Sequence, residues 1–143
     1  MSVIEASQIR LSGTARTKEE AIREAADILV AAGAVESGYL DYMLQREATV
    51  STYMGNLLAI PHGTNEGKDT ILDSALSFVR YDEPLDWGGE EVRFVVGIAG
   101  KDGGHMEILT KIAIVFSDED EVAKLLAAGS SEEILQILGD VND

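Results

Sequence analysis

The chain has 143 residues, 26 acidic and 11 basic, a formal charge of −15, an apolar share of 45% and no cysteine. That length fits one domain over residues 1–143 whose core needs neither disulfide nor metal, and the missing thiols exclude cysteine nucleophiles and thiolate metal sites. The acidic balance disfavours nucleic acid and anionic membranes and suits a basic protein partner. No apolar run nears the roughly 20 residues of a membrane helix, and Met1-Ser2-Val3-Ile4-Glu5 has no signal-peptide pattern, so a cytoplasmic location is expected.

Thr17-Lys18-Glu19-Glu20 has capping-box spacing and leads into Ile22, Ala25, Ala26 and Leu29 on one helical face, with a stop expected near Gly33. A second helix is expected from about Ser37 to Glu47, with Leu40, Met43 and Leu44 inward. Glu47 to Met54 reads as strand or loop, and Leu57 to Ile60 as a short buried strand. Ile71 to Tyr81 and Val92 to Ala99 read as longer strands, joined by a loop over Asp82 to Glu91 that holds Pro84 and Gly88-Gly89. After Gly103-Gly104 a helical stripe returns at Ile108, Leu109, Ile112 and Phe116. Two shorter helices follow, one carrying Val122, Leu125 and Leu126, the other capped at Ser130 and carrying Ile134, Leu135 and Leu138. Interleaved helices and strands imply an α/β sandwich, a sheet flanked by helices.

Few residues carry candidate chemistry. His62 stands between Pro61, which fixes φ, and Gly63, which admits backbone angles other residues avoid, at the exit of an apolar run; it either reacts or closes a turn. His105 precedes Ile108, Leu109 and Ile112 by three, four and seven positions, which puts it on the apolar face of its helix. It also stands in the first turn, beside amides that attract anions. Arg46, near the end of the second helix, either serves the helix terminus or turns its planar fork to an oxyanion. Nucleotide loops and the GxSxG elbow are absent, and two histidines 43 positions apart with scattered carboxylates make a poor metal site. Phosphoryl carriage by histidine fits this residue set best.

Leu58-Ala59-Ile60-Pro61-His62-Gly63-Thr64, with Leu44-Gln45-Arg46-Glu47 upstream and Val96-Gly97-Ile98-Ala99 and His105-Met106-Glu107-Ile108-Leu109 downstream, resembles the enzyme IIA domain of the mannitol/fructose class. That domain belongs to the bacterial phosphoenolpyruvate-dependent sugar phosphotransferase system, and the Gly-Ile-Ala…His pairing leans towards the mannitol type. The resemblance implies a mixed sheet flanked by helices on both faces. It implies that His62 takes a phosphoryl group from HPr on Nε2 and passes it to a IIB domain, with His105 and Arg46 in the active site. Thr64, Gly63 and Gly104 are expected to help hold the phosphoryl oxygens, and no cofactor or metal is expected. With no cysteine of the IIB kind, the chain is expected to be a stand-alone IIA. A regulatory nitrogen-type IIA, a binding module with a structural His62 and a metal-dependent hydrolase are the competing readings.

Overall fold

The computed structural model describes residues 3–101 and 104–142, apart from the side chains of His105, Asp140 and Asn142. A mixed sheet of five strands forms the middle layer: β1 (Ile9–Arg10), β2 (Tyr53–Gly55), β3 (Leu58–Ala59), β4 (Ala75–Trp87) and β5 (Glu90–Ala99). Their order is β1-β4-β5-β3-β2. The antiparallel β4–β5 hairpin is the spine, with β1 parallel to β4, β3 parallel to β5, and β2 antiparallel to β3. Helices α1 (Lys18–Ala31) and α2 (Tyr39–Thr49) pack on one face, and α3 (His105–Phe116), α4 (Glu119–Ala127) and α5 (Ser131–Ile137) on the other.

The near-continuous apolar runs of the hairpin follow from cover on both faces. In β5 from Phe94 onward, Val95 and Ala99 join the α1–α2 core, whereas Phe94, Val96 and Ile98 join the α3–α5 core. Alternation along a pleated strand sends neighbours to opposite cores, so both sets must be apolar. Gly97 leaves room on the α1 side: a Cβ there would lie 2.5 Å from Ser77 Oγ and 3.1 Å from Ala25 Cβ.

The helix starts obey the sequence, with one shift. Thr17 Oγ1 accepts the Glu20 amide at 3.2 Å, and the Glu20 carboxylate accepts the Arg16 amide one residue before the cap. α5 repeats the arrangement, with Ser130 Oγ on the Glu133 amide and Glu133 on the Gly129 amide. Gly33 ends the first helical segment at φ +77°, as its freedom from a Cβ allows.

The expected loop over Asp82 to Glu91 is corrected. β4 runs on through Pro84 to Trp87, and only Gly88 and Gly89, at φ +65° and +97°, form the turn. Positive φ at both central residues matches the twist of a two-residue hairpin. Pro84 is exposed within the stretch between Arg80 and Leu85 where the register shifts, so no ladder hydrogen bond is asked of its missing N–H. The same strand begins at Ala75 instead of Ile71. Ile71 instead bridges Val35, and the Leu72 and Asp73 amides donate to the Ala34 carbonyl. The second helix starts two residues later than expected and reaches Thr49, and the open stretch after it resolves into β2.

A buried carboxylate ties α1 to the sheet. Glu24 accepts from Tyr81 Oη at 2.6 Å, Arg10 Nη1 at 2.8 Å, the Thr14 hydroxyl and the Thr14 and Ala15 amides. Burial is the largest influence and pushes its carboxyl up, yet the hydrogen bonds from Tyr81, Thr14, Arg10 and Ala15 together hold it below the usual value of 4.5. Burial first, and Glu24 second, push the Tyr81 phenol up. Because the folded-state value lies below the unfolded one, this carboxylate stabilises the fold above the unfolded pKa and stops doing so as pH falls through the folded one. Urea melts from about pH 7 down to about pH 3 should show the wild-type advantage over Glu24→Gln shrinking as acid is added. A constant gap would contradict the assignment.

Candidate active site

β3 is short, but the chain beyond it keeps following β5. Leu58 and Ala59 pair with Phe94 and Val95; then the Pro61 carbonyl accepts the Ile98 amide at 3.0 Å, and His62 bridges Ile98 in parallel. The turn that feeds β3 holds Asn56 and Leu57 at φ +50° and +71°, and Asn56 Nδ2 anchors it to the Phe116 carbonyl at 2.7 Å. The histidine is thus delivered by backbone fixed on both sides.

The His62 ring is oriented as well as placed. Its Nδ1 lies 2.8 Å from the Ile60 carbonyl oxygen. A carbonyl can only accept, so Nδ1 carries the proton and the neutral ring keeps its lone pair on Nε2. The partner that fixes this tautomer is a backbone atom two residues back, which no side-chain pattern could reveal. Half-buried, His62 lines a cavity of about 980 Å³ with Tyr39, Arg46, Gly63, Thr64 and Lys68. A second cavity of about 680 Å³, between the starts of α1 and the β4–β5 turn, contains no histidine.

Four of the six expected site residues meet at the first cavity. Arg46 reaches it because Tyr42, Arg46 and Thr49 recur at helical spacing and continue the face begun by Tyr39. Its Nη1 donates to the Val50 carbonyl at 2.7 Å, which satisfies the end of α2 and holds the guanidinium at the rim. The two alternatives weighed for Arg46, helix end or oxyanion site, are therefore compatible. If its fork meets an oxyanion there, Arg46→Lys should slow phosphate acceptance about tenfold while leaving the melting temperature near wild type; unchanged rates in stopped-flow or quench-flow assays would remove it from the site.

Thr64 Oγ1 is buried and has no hydrogen-bond partner among the described residues. Thr64 also lines the cavity, so its unsatisfied hydroxyl is a candidate donor two residues from His62. Gly63 lies on the cavity wall too, but its amide donates to Tyr39 Oη at 2.8 Å. Its φ is not positive, so the expected backbone freedom is not why glycine stands there; a Cβ would lie 2.5 Å from the Tyr39 ring.

Gly104 caps α3 outside the cavity lining, and its amide donates to the Lys101 carbonyl at 3.0 Å. His105 opens α3, and its side chain falls outside the described residues. Sequence reading missed Tyr39, although it stands four positions before the inward Met43. Burial raises its phenol above the ordinary value, against a smaller opposite pull from the Gly63 amide. It also missed Lys68 and Lys101, which add positive charge to a wall that carries Glu66 and Asp69.

A family model described as phosphoenolpyruvate-dependent sugar phosphotransferase system, EIIA 2, matches residues 2–141. The chain belongs to this family. Among EIIA 2 relatives, the mannitol-specific phosphotransferase enzyme IIA component of Halalkalibacterium halodurans is 49% identical over 142 residues, covering 99% of this chain and 98% of that protein. A chain in the complex of enzyme IIA mannitol and phosphorylated enzyme IIB mannitol from Escherichia coli superposes with a TM-score of 0.91 at 36% identity, covering 98% of this chain and 99% of that one. The crystal structure of IIA mannitol from Escherichia coli gives 0.88 at 38% identity, with 94% and 98% covered. The mixed sheet with helices on both faces is thus the fold of these EIIA 2 structures, as the sequence implied. Among the described residues no helix is long and apolar enough to cross a membrane.

Proposed function

We propose that this member of the EIIA 2 family is a cytoplasmic phosphocarrier of mannitol uptake, acting as one domain. His62 Nε2 takes the phosphoryl group of phosphorylated HPr and gives it to a IIB domain. The single observation that carries this reading is the Nδ1 contact with the Ile60 carbonyl, which leaves the lone pair on Nε2 at a cavity wall. The mannitol assignment draws on the names of the relatives and of the two Escherichia coli structures.

In the forward step the Nε2 lone pair forms the new N–P bond while the N–P bond of the donor phosphohistidine breaks and returns its electron pair to the donor ring. Nδ1 keeps its proton on the Ile60 carbonyl throughout, so no base is needed at His62. Charge spreads over three equatorial oxygens in a loose transition state, and catalysis is mainly positioning and charge stabilisation. Arg46 and the unpartnered Thr64 hydroxyl supply donors from the cavity wall. His105 and the first-turn amides that α3 leaves over beyond Gly104 supply the rest, while Gly63 contributes through its fit against Tyr39. The return step to IIB runs the same sequence with a thiolate as acceptor.

A chase experiment tests the reading. Protein labelled through phosphoenolpyruvate, enzyme I and HPr should lose its label to the mannitol-type IIB domain faster than to a fructose-type one. Equal or reversed preference would overturn the mannitol assignment, and no transfer to any IIB domain would favour a regulatory role.

A further inference from the structure

Tyr39 makes two hydrogen bonds that bracket His62. Its hydroxyl donates to the Ile98 carbonyl at 2.7 Å and accepts the Gly63 amide at 2.8 Å. Ile98 is the residue that His62 bridges, and its own amide holds the Pro61 carbonyl. The residue before His62 is therefore tied directly to β5, and the residue after it is tied to β5 through one phenol. The ring is 2% exposed, lies against the α-carbon of Gly63 and belongs to the α1–α2 core.

One turn further along α2, Tyr42 stands in the same relation to Gly67, where a Cβ would lie 2.5 Å from its ring. The two tyrosines, three positions apart on one helical face, mould the segment from Gly63 to Thr70 against α2. Among the described residues it is Tyr39, and not Tyr42, that hydrogen-bonds the backbone beside His62.

We propose that Tyr39 is a positioning residue for phosphoryl transfer: its hydroxyl fixes the backbone after His62 and so keeps Nδ1 on the Ile60 carbonyl. It touches neither phosphate nor donor, and acts only through the orientation of the imidazole. The glycine of the Pro-His-Gly segment follows from it, since any side chain at position 63 would displace the phenol that holds the loop. The inference rests on His62 Nε2 being the nucleophile.

Tyr39→Phe keeps the buried ring and removes only the hydroxyl, leaving the Ile98 carbonyl and Gly63 amide without that partner. Two readouts are taken on it: the rate of His62 phosphorylation by HPr, and the 15N spectrum of the imidazole. The rate should fall about tenfold. The spectrum should move from a single Nδ1–H tautomer towards a mixture, an effect that a purely structural loss of stability would not produce in folded protein. An unchanged spectrum or an unchanged rate in folded Tyr39→Phe overturns the proposal. If wild-type protein takes no phosphate on His62, the functional reading fails, and the spectrum alone still decides the positioning role. Should Tyr39→Phe not fold, hydrogen exchange in the wild type decides: the Gly63 amide should be strongly protected, and exchange at the rate of an open loop overturns the bond on which the proposal stands.

Discussion

His62→Ala should accept no phosphate at all from HPr, while melting within a few degrees of wild type. Under the proposed function the substitution removes the atom that forms the N–P bond, so the loss is complete and not a matter of degree. Loss of one transition-state donor, by contrast, costs about 3 kcal/mol, or two to three decades in rate. Losing the half-buried ring costs the fold little, because the Pro61 and Ile98 backbone bond that shapes the segment does not involve it. A radiolabelled gel of both proteins after incubation with phosphoenolpyruvate, enzyme I and HPr makes the comparison. Residual label on His62→Ala at the wild-type level would place the phosphate elsewhere.

The largest effect on stability is expected at Glu47→Ala. Glu47 follows Arg46 and is 5% exposed. It accepts the Thr52 amide at 3.1 Å, the Thr52 hydroxyl, and Trp87 Nε1 at 2.7 Å, with Lys18 Nζ at 3.6 Å. Lys18 in turn stands 5.8 Å from the centre of the Trp87 ring. This carboxylate joins the end of α2 to the start of β2 and to the far end of β4. Alanine would strand at least two buried donors, at about 1–3 kcal/mol each, so a total near 4 kcal/mol is expected. Urea unfolding should show the midpoint falling by more than 1 M at a typical slope near 2 kcal/mol per M. A shift of a few tenths would mean that the carboxylate is dispensable. Because Arg46 immediately precedes it on the same turn, the variant should also transfer phosphate more slowly.

Glu47 illustrates why some of the site was legible in the sequence and some was not. In the Leu-Gln-Arg-Glu stretch both charged residues look alike on paper. One turns to the cavity and the other anchors the helix, and only the positions of Trp87 and Thr52, distant in sequence or beyond the helix end, decide which. Pro61, His62 and Gly63 were legible because their chemistry is local: a fixed φ, an imidazole and the smallest residue in succession. The reason for the glycine was not, since it depends on a tyrosine 24 positions upstream. Ile60 as the tautomer-fixing acceptor was invisible for a different reason, because every residue offers a carbonyl and only the fold aims this one.

The fold shows the same division. Helix starts at Thr17 and Ser130 were readable from side chains that act within one turn. The central strands were readable from their apolar runs, but not the extent of β4, because Pro84 argues for a loop unless a register shift takes it out of the ladder. β1, two residues long, carries no periodicity from which it could be read. Its pairing with Phe78 and Val79 is a long-range event, and sheet order in general follows from such pairings.

The proposed function stands on His62 carrying the phosphate on Nε2 with Nδ1 protonated against Ile60. The most direct measurement is NMR of 15N-histidine-labelled protein after phosphorylation by phosphoenolpyruvate, enzyme I and HPr, read through the 15N–31P coupling. One acid-labile, base-stable phosphate should appear, coupled to Nε2 of His62 alone, with Nδ1 still bearing its proton. Coupling to Nδ1, coupling to His105, or no phosphate on folded protein in the presence of active HPr would contradict it.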